Sequence, residues 1–256
     1  MGGATATTDG AGNFEMNVPG GSDLRVELSA SGHVTRSTFF RPGGATPTFD
    51  IVEPSSLWVL DFYRELCRDG AGGGSLKALV PITRELNFYI DRRPEAGLNR
   101  PIPDSAIETV RLAIQTVVPL LTRGKFTGSQ IEIGENPPAD RTPGTVVIRW
   151  NPVEVSQLAG AAAGLAYVVG GDWNVVVLRN IESTESIFHE IGHVLGLFHP
   201  LGGLRPSLML GSGVPERPHF TQWDVLHANV LYSRPSGNTD VDNDPAGFLF
   251  GVGTVR

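Results

Sequence analysis

A chain of 256 residues, 40% hydrophobic and 18% charged, is long enough for one or two domains with cores of their own, too apolar for a disordered segment and too mixed for a fibre. The formal net charge of -7 argues against a broad basic footprint for nucleic acid, and no apolar run reaches the ~18 residues of a membrane span. A single cysteine, Cys67, excludes an internal disulfide and a four-thiolate zinc site, while 32 glycines and 19 prolines assign much of the chain to turns and loops.

Residues 1–50 read as short strands between turn clusters. Phe14, Met16 and Val18 alternate with polar neighbours in NFEMNV, and Leu24, Val26 and Leu28 do so in DLRVELSA. HVTRSTFFR is a third strand, so the segment reads as the tail of a small β-sandwich. Residues 51–76 read as a linker with a short helix in LWVLDFYRELCRD, placing Leu57, Leu60, Tyr63, Leu66 and Cys67 on one side. A second domain is expected over 77–235, followed by a tail over 236–256.

Within the second domain, RELNFYID predicts a strand in which Leu86, Phe88 and Ile90 alternate. PDSAIETVRLAIQTVVPLLT predicts an amphipathic helix, with Asp104 or Ser105 as N-cap, Glu108 as capping-box acid, and Ile107, Val110, Ile114, Val117 and Val118 along one stripe. SQIEIG and GTVVIRWNP predict strands, and AGLAYVVGGDWNVVVLR two more around a Gly-Gly turn. GGDWNVVVL is either a strand edging a cleft, where a peptide can add as a further strand, or a plain core strand. STESIFHEIGHVLGLFH predicts a helix opened by Ser183 or Thr184 and closed by Gly196; TQWDVLHANVLY predicts a last helix. This order implies an α+β or mixed α/β domain, a twisted mixed sheet beside helices, rather than a bundle.

The chemistry concentrates in HEIGHVLGLFHP, residues 189–200. Four-residue spacing puts His189 and His193 one turn apart on the same helix face, so both imidazoles can reach one Zn²⁺ at ~2.0–2.1 Å. Glu190 projects from the adjacent position, placed beside the metal rather than on it, where a carboxylate can take a proton from the attacking water. Gly196 lets the chain leave the helix at positive φ and bring His199 back as a third nitrogen ligand. Three protein ligands leave a fourth position open, the mark of a catalytic zinc site. The apolar residues Ile187, Phe188, Ile191, Val194, Leu195 and Leu197 make the histidines the polar exception on an otherwise buried helix, and a buried polar face needs a partner.

This string resembles the zinc motif of the metzincin metallopeptidases, most closely the matrixin-like members. Met209, ten residues beyond His199, is similar to the Met-turn that underlies the metal in that family, and Asp224 to the acid that braces it. The resemblance covers about 77–235. It implies a twisted mixed sheet with two long helices and a C-terminal helix, one catalytic zinc, and a protein or peptide substrate. Two departures matter. No His- and Asp-rich loop precedes the zinc helix, so the further zinc and calcium sites of matrix metalloproteases are not expected. Leu210 and Gly211, not a tyrosine, follow Met209. The N-terminal segment resembles the end of a carboxypeptidase-regulatory-like domain, through Thr8-Asp9-Gly10, Gly12-Asn13-Phe14, Val18-Pro19-Gly20 and Ser29–His33. That resemblance implies an accessory module able to bind other proteins or glycans.

Other residues carry alternatives. Cys67 is either a thiol that caps the zinc, as in matrixin-like zymogens, or a packed cysteine on a short helix. His219 and His227 are expected to be structural or exposed. Asp240, Asp242 and Asp244 have a spacing that can serve calcium, but no Gly and bidentate Glu follow at EF-hand offsets, which favours a solvated tail. Residues 210–218 are expected to wall the pocket for the side chain after the cleaved bond. The sequence thus points to a zinc-dependent endopeptidase with Glu190 as general base. Its rivals are a zinc-stabilised, non-catalytic binding or surface protein and an amide hydrolase acting on a non-peptide substrate. Neither nucleic acid nor a membrane span is expected. The family resemblance implies action at an extracellular, cell-surface or periplasmic location, with the export signal outside this chain.

Overall fold

The computed structural model describes residues 4–18, 23–31, 36–40, 58–70, 82, 84–140, 142–169, 172–211, 219–233 and 249–250. The chain divides into two units, Met1–Pro54 with Asp240–Arg256, and Ser55–Thr239.

In the first unit, β1 (Leu24–Leu28) pairs antiparallel with β2 (Arg36–Phe40), with Leu24 opposite Phe40. A two-residue strand, Leu249–Phe250, pairs parallel with β2, so part of the expected tail belongs to this sheet. Leu24, Val26 and Leu28 are half-buried and alternate with exposed neighbours, as their pattern requires. NFEMNV forms no strand, and Phe14 is 40% exposed. Alternation makes a strand only where a neighbouring edge pairs with it, and none does so among the described residues. The preceding residues instead form a turn in which the Asp9 carboxylate accepts from Ala11 N and Asn13 N, both at 2.9 Å.

Among its described residues the second unit is mixed α/β, with a five-stranded sheet and five α-helices. It opens with α1 (Leu60–Arg68). There follow β3 (Asn87–Asp91), α2 (Asp104–Leu121), β4 (Ile131–Gly134), β5 (Thr145–Trp150) and α3 (Pro152–Ala159). β6 (Gly164–Val169), β7 (Asp172–Leu178), a 3-10 helix (Ile181–Ser186), α4 (Ile187–Val194) and α5 (Gln222–Ser233) complete it. The strand order is β4-β3-β5-β7-β6; every pairing is parallel except that of the edge strand β6 with β7. Phe88 through Asp91 are all buried, as in a parallel sheet covered on both faces, so the alternation of Leu86, Phe88 and Ile90 captured only one face.

In this unit the structure decides between the two readings of DWNVVVL and departs from expectation at the start of α2 and after β5. In the β6–β7 hairpin only one strand can reach β5, and Val175–Leu178 of β7 pair with Val147–Trp150. DWNVVVL is therefore an interior strand, and β6 is the edge. Neither Asp104 nor Ser105 caps α2: Pro103 holds the cap position without a side-chain bond, Asp104 pairs with Arg92, and Glu108 is held by Arg111. The helix α3 is an unexpected element. Asn151 caps it by accepting from Glu154 N at 3.1 Å, Pro152 starts it, and Val155 packs on Val175 and Val177.

α2 buries Ile107, Val110, Ile114, Val117, Val118 and Leu121, each large aliphatic contributing about 1.5–3 kcal/mol, and packs against α4 and α5. The helix α1, expected in a linker, belongs to this unit and docks on α5 with Phe62, Tyr63, Leu66 and Cys67 buried. Among the described residues, no helix is long and apolar enough to cross a membrane.

Candidate metal centre

The approach to the histidine helix differs from the expected Ser183 or Thr184 cap. Asn180 caps the 3-10 helix by accepting from Ser183 N at 3.0 Å, and the Ser183 hydroxyl accepts from Asn180 N in return at 3.0 Å. Thr184 is buried and accepts from Trp150 Nε1 at 3.2 Å, which ties this segment to β5. α4 follows directly, anchored by Ile187, Phe188, Ile191 and Val194. Gly196 then adopts φ +85°, its N–H donating to His193 O while Leu197 N–H donates to Gly192 O, each at 2.9 Å. That left-handed turn, which any side chain would strain, reverses the chain toward the helix face just left.

His189, His193 and His199 meet with their three Nε2 atoms mutually 3.0 Å apart. His189 Nδ1 donates to Leu208 O and His193 Nδ1 to Leu197 O, both at 2.7 Å. A carbonyl can only accept, so the proton sits on Nδ1 and the Nε2 lone pairs face one another. Burial holds both rings neutral, His189 at about 4 and His193 at about 3, and the crowding of the other imidazoles pushes the same way. His199 is lowered by burial against an upward pull from Asp69. Lone pairs converging at this distance repel unless a cation lies between them. Tetrahedral nitrogen ligands of one zinc ion stand ~3.3 Å apart, close to this spacing. The three histidines are thus near enough to bind one metal ion, and among the described residues no fourth His, Cys, Asp or Glu joins them.

Glu190 points from α4 toward β6. It is 5% exposed, and burial pushes its carboxyl up to about 8, while a hydrogen bond from the Ala166 backbone pulls it down. A Cβ at Gly164 would lie 2.6 Å from Glu190 Oε1, so only a glycine in β6 leaves room for this carboxylate. Nothing in the local sequence marks Gly164; its role depends on a contact between distant segments.

Met209 is fully buried beneath α4, where a Cβ at Gly192 would collide with its sulfur. Asp224, fully buried on α5, accepts from the Ser207 hydroxyl, from Leu208 N at 3.0 Å, and from Thr221 N and Oγ1 at 2.9 and 3.0 Å. Ser207 Oγ in turn accepts from Met209 N at 2.9 Å. The Tyr232 hydroxyl donates to Leu195 O at 2.9 Å, joining α5 to the end of α4.

Cys67 does not join the cluster. It is 1% exposed, its sulfur lies 3.8 Å from His227 O between α1 and α5, and burial pushes its thiol well up. Of its two readings, the geometry fits the packed cysteine and not a thiolate cap. His227 is buried and stacks on Trp58 at 4.7 Å, whereas His219 is exposed and meets the Phe188 ring edge-on at 6.3 Å. Residues 212–218 of the expected pocket wall, and Asp240, Asp242 and Asp244, lie outside the described residues. No protein-family model matches the chain, and neither does any curated protein.

Proposed function

We propose that the chain is a zinc-dependent endopeptidase of metzincin type. One observation carries the reading: three imidazoles bring their Nε2 atoms to one point, two of them with the lone pair fixed by an Nδ1 bond to a carbonyl, while a buried carboxyl, Glu190, follows His189 on the same helix. Met209 under Gly192 and Asp224 behind residues 207–209 support the family resemblance. In this reading His189, His193 and His199 hold the ion. When bound, zinc supplies Lewis acidity that polarises the scissile carbonyl and makes the attacking water more acidic.

The chain's own groups do the rest. Glu190 accepts a proton from the water as its oxygen attacks the carbonyl carbon, and releases that proton to the departing amine, leaving a carboxylic acid and an amine. Burial raises this carboxyl and so makes its carboxylate a stronger proton acceptor than that of an exposed glutamate. Gly164 and the Ala166 N–H keep it in place at β6. β6, which meets this carboxylate at Gly164, is also the edge strand of the sheet, where an extended peptide can add as a further strand. The family resemblance implies a protein substrate outside the cytosol, with the first unit as an accessory module.

Incubating the zinc-loaded chain with casein or gelatin and separating the products tests the reading. New internal fragments are expected. Intact substrate would leave a zinc-stabilised binding protein, and turnover confined to non-peptide amides would leave the amide hydrolase.

A further inference from the structure

Two of the three metal-facing histidines are anchored twice. Their backbones lie in α4, and their Nδ1 atoms donate to Leu208 O and Leu197 O, both at 2.7 Å. His199 has neither support: it follows the helix, is the most exposed of the three, and among the described residues its Nδ1 reaches no carbonyl. Its neighbours are held instead. Phe198 N–H donates to Leu66 O at 2.6 Å, and Leu201 N–H donates to Glu65 Oε2 at 2.9 Å. Both acceptors are consecutive residues of α1, so the stretch 198–201 is stapled at each end with His199 inside it. Pro200, with its fixed φ, stiffens the same stretch.

The staple is itself firmly seated. Phe62, Tyr63, Leu66 and Cys67 are buried, and Trp58 stacks on His227 of α5. At the end of α1, Asp69 takes a left-handed conformation, φ 54°, and its charge acts on His199. We propose that α1 is a positioning element of the metal centre, with Glu65 the side chain that fixes the loop carrying the third ligand. The inference rests on the zinc reading above. It also extends the functional unit upstream of residue 77, where the sequence alone begins the catalytic domain.

Loss of a residue that orients a metal ligand typically weakens binding 10–100-fold. The test uses the full chain, with zinc affinity measured by competition with a chelator and ligand geometry by Co²⁺ absorption. Glu65→Ala is expected to bind zinc ~10–100-fold more weakly, with an altered Co²⁺ spectrum. Glu65→Gln, whose side-chain carbonyl still accepts from Leu201 N–H, is expected to stay within about threefold of the parent. The metal-free forms of all three chains are expected to unfold at the same temperature. Parent-like zinc binding by Glu65→Ala, a Glu65→Gln chain as weak as Glu65→Ala, or a metal-free loss of stability that accounts for the whole change would each overturn the role of α1. His199→Ala in the same titration separates the two levels: if it also binds like the parent, the three-histidine reading itself is wrong.

Discussion

Asp224 and His189 grip the same residue from opposite sides: the Leu208 N–H donates to the Asp224 carboxylate at 3.0 Å, and the Leu208 carbonyl accepts from His189 Nδ1 at 2.7 Å. The acid on α5 therefore reaches a metal-facing ring through a single residue. Asp224→Ala leaves the Ser207 hydroxyl and the Leu208 and Thr221 N–H groups without their acceptor in a buried site. A loss of ~3 kcal/mol or more in urea unfolding is expected. Chelator competition should also show zinc binding weaker by ~10–100-fold.

Gly164→Ala should separate catalysis from metal binding. Its new Cβ would meet the carboxyl end of the Glu190 side chain rather than backbone. The side chain can swing away, so stability and zinc content should change little. A misplaced base costs about 10²–10⁴-fold in turnover, to be read as kcat on a peptide with zinc content measured alongside.

His227 makes the junction between α1 and α5 sensitive to acid. Its Nδ1 donates to Trp223 O at 2.7 Å, and its Nε2 accepts from Val59 N–H at 3.1 Å, a pairing that protonation of Nε2 destroys. Burial, aided by Arg205, holds its pKa below the ordinary 6.5, against the pull of the Trp223 and Val59 carbonyls. The unfolded chain therefore takes up the proton first. The stabilising contribution is complete above pH 6.5 and is lost as pH falls from there through the folded value. Metal-free His227→Gln should lose ~1–2 kcal/mol at pH 8 yet show a shallower decline between pH 6.5 and 5 than the parent. The other histidines are common to both chains, so the difference in slope reports on His227.

Chelation should destabilise the second unit by mass action. Zinc added back at a thousand times its dissociation constant is expected to restore ~4 kcal/mol, raising the unfolding temperature in calorimetry. His193→Ala should abolish most of that rise, because the two remaining imidazoles cannot hold the ion at this concentration.

The parts of the site readable in the sequence are those in which chemistry follows local spacing. His189, His193, Gly196 and His199 lie within one helix and its exit turn, so a period of 3.6 residues and a left-handed glycine suffice to bring them together. The contacts of Gly164 with Glu190 and of Glu65 with Leu201 were not legible, because each joins segments far apart in the chain. α3 is hidden because Asn151-Pro152 also reads as the end of the preceding strand, although Asn followed by Pro is itself a helix-start signal. The exclusion of α1 had a different origin: a short amphipathic helix flanked by Gly- and Pro-rich text carries no mark of which surface its apolar side will meet. NFEMNV erred in the opposite sense, since a period of two states which residues can share a face but not that a partner strand exists.

The most direct measurement is the rate of peptide cleavage by zinc-loaded Glu190→Gln beside the zinc-loaded parent, with bound metal quantified in both. The amide keeps the shape of the side chain but cannot accept the proton. The account predicts one zinc per chain in each protein and a fall in kcat of three orders of magnitude or more, about 4 kcal/mol of lost transition-state stabilisation. Cleavage at the parental rate by fully zinc-loaded Glu190→Gln would contradict it.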